Sequence, residues 1–390
     1  MTDNPVTSIV DERAIGPGGA PFDWLIDSHR FPGWTFLHQS SYFDGIATVV
    51  DEDDDGVRPP ELYIIDCNVW PPTEQCMSEI CSDGAMHDRR LVAAQGEYRY
   101  WIRTLERSDS GGGERTQFER SVGGRFEALG PVLTLRSGCD AVVAAGVIYA
   151  VYWRPGADGK SLLRVDAHGA TEIFEWPGRL DLLPLGPGRI LIAAHNESRS
   201  VEQACYWLWD ENGNNSSGTP LSGPHAFPAI AIDPDCALAW LGGDEILFCS
   251  ASEEDTLQLH RFDVVSGTHR VAPLEGLGGG RSQRAKVKGM PEHLVWFWPR
   301  IDIGKGAGSW WIFNDVATYP GKRTICWFWN QDSNEVIELA WDPVRMPDVL
   351  GVLYSPGIDG YLLSMVNEVH RLAGLDSAMA AQAGRQLRWK

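Results

Sequence analysis

The sequence predicts an all-β protein, and three observations lead to this prediction. Short runs rich in Val, Ile, Trp, Tyr and Phe alternate with clusters of Gly, Pro, Asn, Asp and Ser, which is typical of strands joined by turns. Helical periodicity is nearly absent before the end of the chain. A strand–turn–strand pattern recurs at intervals of roughly 50 residues, a spacing typical of propeller blades. We therefore predict a β-propeller of six to seven four-stranded blades with a short C-terminal helix; the alternative is a pair of tandem β-sandwiches.

The repeated unit is a hairpin that follows further strands. Clear copies of the hairpin occupy residues 161–176, 204–221, 257–274, 324–341 and 360–374. The first strand of several copies ends at or near an Asp or Asn, whose short side chain can accept hydrogen bonds from the turn backbone. The strands that lead the hairpins number seven and lie near Tyr63, Tyr100, Leu163, Trp207, Leu259, Trp327 and Leu362.

Two terminal segments differ from the repeats. Residues 1–20 are polar and contain a Gly-Pro-Gly-Gly run, so we predict a flexible N-terminal segment. The alternative is that this segment lends a strand that closes the ring with the last blade. Residues 21–375 form the predicted propeller. Residues 376–390 predict a short helix, because an Asp-Ser pair can cap it and Ala, Gln, Leu and Arg favour it. We expect Met379, Leu387 and Trp389 of this tail to pack on the ring.

The chain is strongly acidic, with 33 basic and 53 acidic side chains and a formal net charge of −20. This charge argues against a surface that follows nucleic-acid phosphates and against one that binds anionic membranes. It is compatible with a basic protein partner, and acidity of this size also simply keeps a protein soluble.

The sequence also predicts a compartment. The N-terminal residues show no basic region followed by an apolar run, so no secretory signal is recognised. The longest apolar run, Ala141–Trp153, predicts one buried strand and is too short to span a bilayer. The eight cysteines form no CxxC pair, and we predict reduced thiols in a cytoplasmic protein. A disulfide between Cys76 and Cys81 is the alternative.

An acidic stretch gives a candidate metal site. Asp51, Asp53 and Asp55 alternate and are followed by Gly56, which matches the first half of a calcium-binding loop. The match ends there, because the Glu that such a loop needs at its last position stands one place early, at Glu61. We therefore hold two interpretations, a Ca²⁺ site and a solvated acidic connection between two strands. No other cofactor is predicted.

An aromatic and charged cluster gives a candidate partner-binding site. Trp and Arg are the residues that most often anchor protein interfaces. If this cluster is exposed, it marks a surface for a protein partner; the alternative is that its Trp side chains pack between neighbouring blades. The candidate residues are Trp296, Trp298, Arg300, Asp302, Trp310 and Trp311.

The motifs of several common enzyme classes are missing. The sequence contains no GxSxG elbow, no complete phosphate-binding loop and no GxGxxG that opens a helix. We predict a protein-interaction propeller that binds and neutralises or scaffolds a basic protein, as an inhibitor or immunity protein does. The alternative is a propeller hydrolase or lyase, with or without a metal, whose site is assembled in the central channel from several blades and leaves no linear motif.

Overall fold

The chain folds into seven antiparallel blades of four strands each, arranged as a β-propeller. The structure is a computed structural model that describes residues 11–15, 21–22, 25–31, 42–51, 61–76, 89–106, 113–153, 159–195, 205–211, 221–228, 238–251, 257–273, 300–316, 325–341, 349–365, 368–373 and 385–390. The propeller prediction is confirmed, with the blade number at the upper end of the predicted range. The tandem β-sandwich alternative is wrong.

The strands follow the chain almost in blade order. Three strands precede the first blade: β1 (Asp11–Ile15), β2 (Pro21–Phe22) and β3 (Leu25–Arg30). Blade 1 consists of β4 (Tyr42–Phe43), β5 (Ile46–Asp51), β6 (Glu61–Asp66) and β7 (Thr73–Cys76). Blade 2 contains β8 (Arg89–Gln95), β9 (Tyr98–Glu106), β10 (Glu114–Val122) and the first part of β11 (Arg125–Ala144). Blade 3 contains the rest of β11 with β12 (Val147–Trp153), β13 (Lys160–Asp166) and β14 (Gly169–Trp176).

The remaining blades complete the ring. Blade 4 consists of β15 (Arg179–Pro184), β16 (Arg189–His195), β17 (Cys205–Asp210) and β18 (Leu221–Ala226). Blade 5 consists of β19 (Ala239–Gly242), β20 (Glu245–Ala251), β21 (Leu257–Asp263) and β22 (His269–Pro273). Blade 6 consists of β23 (Arg300–Lys305), β24 (Trp310–Val316), β25 (Ile325–Asn330) and β26 (Glu335–Trp341). Blade 7 contains β27 (Val349–Ser355), β28 (Gly360–Met365) and β29 (Glu368–Ala373), and a last short strand, β30 (Arg385–Gln386), follows it in the chain.

We call the strands of each blade A to D from the centre of the ring outwards. In an antiparallel meander the turns alternate between the two ends of the sheet. The A–B and C–D turns of all blades therefore lie on one face of the ring, the AB/CD face. The B–C turns and the connections between blades lie on the other face.

The longest strand joins two blades without a break. Residues 125–135 of β11 pair with β10 as the outer strand of blade 2, and residues 136–144 pair with β12 as the inner strand of blade 3. The predicted single strand Ala141–Trp153 is wrong, because a tight turn at Ala145 and Gly146 divides it into the end of β11 and the whole of β12. Both turn residues have positive φ, 51° and 80°, as a two-residue hairpin of the primed type requires.

The ring is closed by the N-terminal strand β3. It pairs with β29 from Arg30 opposite Glu368 to Leu25 opposite Ala373, and it supplies the outer strand of blade 7. The closing strand therefore lies within residues 21–375 and not in residues 1–20. Part of the segment predicted to be flexible also forms a strand, since β1 pairs with the outer edge of blade 6 and β2 pairs with β1.

The predicted C-terminal helix is wrong over residues 385–390. Arg385 and Gln386 form β30, which pairs with Val336 and Glu335 of blade 6. Residues 376–384 lie outside the described residues. The predicted packing is confirmed for Leu387 and Trp389, which rest on the core between blades 5 and 6, while Met379 lies outside the described residues. A β-sheet edge that accepts backbone hydrogen bonds here outweighs the helix propensity of the local sequence.

The hydrophobic core lies between neighbouring blades. Each cluster of buried side chains joins strands of two adjacent blades, and complete burial of one large apolar side chain contributes roughly 1.5–3 kcal/mol. Aromatic residues fill most of this space. The largest fully buried side chains include Trp101, Trp327, Trp329, Tyr149 and Phe248.

The predicted turn chemistry is present at the ends of the C strands. Oδ1 of Asp166 accepts hydrogen bonds from the backbone N–H groups of His168 and Gly169. Oδ1 of Asp263 and Oδ1 of Asn330 likewise accept hydrogen bonds from backbone N–H groups two and three residues further along the chain. These residues fix the C–D turns on the AB/CD face.

Two further findings concern the described residues as a whole. None of them belongs to a helix that is long and apolar enough to cross a membrane. Of the cysteines among them, Cys67, Cys139 and Cys205 are free thiols.

Candidate functional site

The predicted calcium ligands belong to the connection between β5 and β6. Asp51 is the last residue of β5, and the side chains of Asp53 and Asp55 lie outside the described residues. Among the residues that the structure describes, no three His, Cys, Asp or Glu side chains come together as a metal site. Calcium binding therefore stays a prediction.

The predicted aromatic cluster is only partly described. Trp296 and Trp298 lie outside the described residues, while Arg300 and Asp302 belong to the inner strand β23. Trp310 begins β24 and is partly buried.

Trp311 does not belong to an exposed patch. Its side chain is only 6% exposed and packs in the core between blades 5 and 6. Its indole Nε1 donates a hydrogen bond to Gln331 at 3.1 Å, and the Lys305 ammonium lies 4.5 Å from its ring centre. For Trp311 the structure shows the alternative, packing between neighbouring blades, because the strand alternation turns its ring towards the neighbouring blade.

The AB/CD face carries carboxylates from every blade. They stand in the A–B and C–D turns or at the strand residues next to them, so the fold brings them to one side of the ring. By blade they are Asp44 and Asp66 (1), Glu97 (2), Asp166 (3), Asp210 and Glu211 (4), Asp244, Glu245 and Asp263 (5), Asp332 and Glu335 (6), and Asp359 (7).

Glu211 joins blades 3 and 4 at this face. Its carboxylate accepts hydrogen bonds from the Arg164 guanidinium at 2.6 Å, from Trp209 Nε1 at 3.2 Å and from the Tyr149 hydroxyl. Arg164 also donates to Asp166, so one guanidinium serves two carboxylates. The cluster is partly buried, with 26% of the Arg164 side chain and 21% of the Glu211 side chain exposed.

These contacts keep the carboxylates ionised. Burial raises the pKa of Glu211, but hydrogen bonds from Arg164, Tyr149 and Trp209 outweigh it and lower that pKa below its usual value. The pKa of Asp166 is lowered in the same way, since the bonds from Arg164 outweigh burial. Hydrogen bonds from Ser266 lower the pKa of Asp263. Asp166, Glu211 and Asp263 are therefore negative at neutral pH.

Arginines offset part of this charge in blades 4 and 5. Arg189 lies 2.7 Å from Asp244, and Arg261 is paired with Glu245. In the other blades the carboxylates Asp44, Glu97, Asp332 and Asp359 are exposed to solvent, and positive charges lie near two of them, Arg99 near Asp44 and Lys305 near Asp332. The AB/CD face is thus acidic, with its most accessible carboxylates on blades 6, 7, 1 and 2.

The inner strands bound the centre of the ring and carry both apolar and charged residues. Small or apolar residues such as Ala93, Leu182 and Gly351 occur in some of them, and carboxylates stand near the middle of three: Asp140, Asp181 and Asp302. In blade 4 Arg179 Nε donates to Asp181 Oδ1 at 3.0 Å.

Two histidines meet between blades 4 and 5. Nδ1 of His260 lies 3.0 Å from Nε2 of His269, and the His260 ring stacks on Phe248 with 4.7 Å between centres. His260 is fully buried, and burial together with the charge of His269 lowers its pKa to about 4. Burial also lowers the pKa of His269. Both rings are neutral at pH 7, and one donates a hydrogen bond to the other.

The sequence carries a signal for the acidic face. Asp or Asn residues end several C strands, and every C–D turn of a propeller lies on the same side. The turn residues and the negative net charge together predict acidic residues on one face, which neither feature predicts alone. The Arg164–Glu211 contact left no such signal, because its residues are 47 positions apart.

Comparisons with known proteins identify the fold and no family. No protein-family description matches the sequence, and no curated protein is significantly similar to it. Among solved structures, the chain is similar to an oligogalacturonate lyase in complex with manganese, with a TM-score of 0.50 and 12% identity over 90% of this chain and 96% of the lyase. It is also similar to a putative 6-phosphogluconolactonase from Bacteroides uniformis (TM-score 0.47, 11% identity, 82% and 89% coverage) and to the WD40 domain of SCAP from fission yeast (0.44, 8%, 93% and 98%). At these identities the likeness concerns the propeller fold alone.

Proposed function

We propose that this chain is a protein-interaction propeller whose AB/CD face binds a basic protein partner. The observation that carries the proposal is that each of the seven blades places at least one carboxylate on this face. Binding and neutralising a basic protein, as an inhibitor or immunity protein does, is the form of this function that the charge favours.

The electrostatics of the face support this proposal. The formal net charge of −20 attracts a positively charged protein over a distance of about one Debye length, which raises the association rate. The lowered pKa values of Asp166, Glu211 and Asp263 keep these carboxylates charged at neutral pH. Complementary charge mainly increases the rate and the specificity of association, and close contacts then determine the lifetime of the complex.

The enzyme alternative would place its site in the central channel. Such a site would be built from polar side chains that converge from several inner strands. The inner strands carry carboxylates such as Asp140, Asp181 and Asp302, but among the described residues no three His, Cys, Asp or Glu side chains come together as a metal site. The proposal of binding therefore rests on the acidic face, which has a carboxylate in every blade.

The experiment compares two variants that carry the same net charge. The face variant combines Asp44→Asn, Glu97→Gln, Asp332→Asn and Asp359→Asn, all at exposed positions of the AB/CD face. The control variant combines Glu106→Gln, Glu127→Gln, Asp140→Asn and Glu175→Gln, which are exposed elsewhere. Tagged wild type and both variants are used to capture proteins from the native lysate at low and high salt, and the captured proteins are quantified by mass spectrometry.

We expect wild type and control variant to retain the same basic protein at low salt and to release it at high salt. The face variant should retain several-fold less of this protein. Removing the four carboxylates and screening them with salt both weaken the electrostatic attraction to a basic partner. If the two variants retain the protein equally, or if retention does not change with salt, the acidic face is not the binding surface. If no basic protein is retained by any form, the interaction proposal fails and the enzyme alternative is the one to examine.

A further inference from the structure

Residues 385–390 run along the outer edges of blades 5 and 6, and the first two of them form β30. On blade 6, β30 pairs with β26, and the Leu387 N–H donates to the Asn334 carbonyl at 2.8 Å. On blade 5, Lys390 exchanges two backbone hydrogen bonds with Val271, of 2.9 and 3.2 Å. The segment therefore uses backbone groups on both blades.

The side chains of this segment alternate as a strand requires. Leu387 and Trp389 are partly buried and pack against the core between blades 5 and 6. Gln386, Arg388 and Lys390 are exposed. One face of the segment thus makes all the apolar contacts, and the other makes none.

The surroundings of Trp389 resemble a built binding site. Its indole Nε1 donates a hydrogen bond to Oδ1 of Asn334 at 2.7 Å. Its ring meets the Trp329 ring at 5.7 Å between centres, and the Arg261 guanidinium lies 5.7 Å from it. Arg261 is held in place by Glu245 of the same blade. An indole is therefore recognised by one hydrogen bond, one aromatic contact and one cation.

We propose that the outer edges of blades 5 and 6 form a peptide-binding groove for an extended Leu-x-Trp segment, and that the chain's own C-terminal residues occupy this groove in cis. Backbone hydrogen bonds at a sheet edge supply affinity in this mode of recognition, and sites for alternate side chains supply specificity. Asn334 contributes to both, since its carbonyl binds the backbone of the segment and its side chain binds Trp389. The groove adjoins the AB/CD face, since Glu245 holds Arg261 and Glu335 pairs with Gln386. The test of the groove uses a peptide and no basic partner, so the two proposals can fail separately.

The occupant in trans is the same segment of a second copy of the chain. A tethered segment reaches an effective concentration of roughly millimolar, so the cis segment excludes a free one while its anchors are intact. Once the anchors are removed, the backbone and side-chain contacts of the groove become available to a segment of identical sequence.

The test uses the full chain and a fluorescent peptide that spans residues 380–390. One variant carries Leu387→Ala and Trp389→Ala, which removes both anchors of the cis segment. The matched control carries Gln386→Ala and Arg388→Ala at exposed positions of the same segment. Peptide binding is measured by fluorescence anisotropy for wild type and both variants, and a second peptide carries W389A.

We expect the anchor variant to bind the peptide. Wild type and the control variant should bind it at least tenfold more weakly. The W389A peptide should lose at least tenfold in affinity for the anchor variant. Absence of peptide binding to a folded anchor variant overturns the proposal, and so does equal binding of the two peptides. If the anchor variant does not fold, a protease site placed between residues 375 and 384 is cut after folding of the full chain. We then expect the cut segment to stay bound during gel filtration and labelled peptide to replace it. If the cut segment separates from the protein and labelled peptide does not bind in its place, the proposed peptide-binding groove is contradicted.

Discussion

Asn314 of blade 6 binds both backbone polar groups of Val352 in blade 7. Its Nδ2 donates to the Val352 carbonyl at 2.9 Å, and its Oδ1 accepts the Val352 N–H at 2.9 Å. Both residues are buried, with exposures of 2% and 0%. A side-chain amide thus takes the place of a neighbouring strand, and it fastens the inner strand of the last blade to the blade before it.

Replacing this amide should destabilise the ring strongly. Asn314→Ala leaves a buried N–H and a buried carbonyl without their partner, and we expect a loss of about 2–4 kcal/mol in the free energy of unfolding. Urea denaturation measures it. Gln75→Ala, at an exposed position of β7, is the control and should change stability by less than about 0.5 kcal/mol. A loss equally small for Asn314→Ala would mean that Val352 finds other partners.

A glycine at the closure between blades 7 and 1 should not accept a side chain. A Cβ at Gly357 would stand 2.3 Å from Asn68 Cβ and 2.5 Å from the Asn68 carbonyl oxygen, so the backbone must move. The Gly357 N–H also donates to Asn68 Oδ1 at 2.9 Å. We expect Gly357→Ala to lower the thermal midpoint and to cost about 1–3 kcal/mol.

Gly360 is the matched control in the same turn. A Cβ there would meet its nearest neighbours at 3.6 Å, an ordinary contact. Gly360→Ala should therefore leave the thermal midpoint unchanged or raise it slightly, because it reduces the entropy of the unfolded chain. Equal effects of the two substitutions would show that the closure tolerates a shift at residue 357.

The buried histidine pair should make stability depend on pH. The pKa of His260 in the folded protein is lowered from 6.5 to about 4. Between these two pH values the imidazole is protonated in the unfolded chain and neutral in the folded protein. Stability is then complete above pH 6.5 and falls as the pH decreases towards 4, by on the order of 2–3 kcal/mol in total. The lowered pKa of His269 adds to this loss in the same direction.

Substituting one ring tests this pH dependence. His260→Phe keeps a ring against Phe248 and removes the titrating group, so the free energy of unfolding measured in urea should fall less between pH 6.5 and 4.5. His168→Gln removes an exposed histidine and should leave the pH profile as it is in wild type. An unchanged profile in His260→Phe would assign the acid sensitivity to other groups.

The sequence predicted the repeated strands better than their places in the blades. The hairpins led by Leu163, Trp207, Leu259 and Trp327 are C–D hairpins, because alternating apolar residues and Asp or Asn turns mark them locally. The hairpin led by Leu362 is a B–C hairpin, since the outer strand of its blade comes from the other end of the chain. No local pattern reveals such a pairing over a long sequence separation.

The same limit applies to the candidate sites. Trp311 has the residue type of an interface anchor, and only the packing of two blades decides that it is buried. The C-terminal segment has helix-favouring residues, and the open edge of blade 6 decides that it is extended. The sequence therefore indicates which residue types are suited to a binding site. Whether those residues are exposed depends on contacts between blades, which the sequence does not reveal.

The Arg164–Glu211 contact should contribute coupling energy between blades 3 and 4. The two atoms lie 2.6 Å apart, and both side chains are mostly buried. A double-mutant cycle with Arg164→Met and Glu211→Gln, measured by urea denaturation at pH 7, should give a coupling of about 1–2 kcal/mol. Because the pKa of Glu211 is lowered in the folded protein, its contribution is present above the unfolded value near 4.5 and is lost as the pH falls below it. The coupling should therefore decrease on going from pH 7 to pH 3.5. A coupling near zero at pH 7 would mean that Tyr149 and Trp209 hold Glu211 without help from the guanidinium, and that charge does not join these two blades.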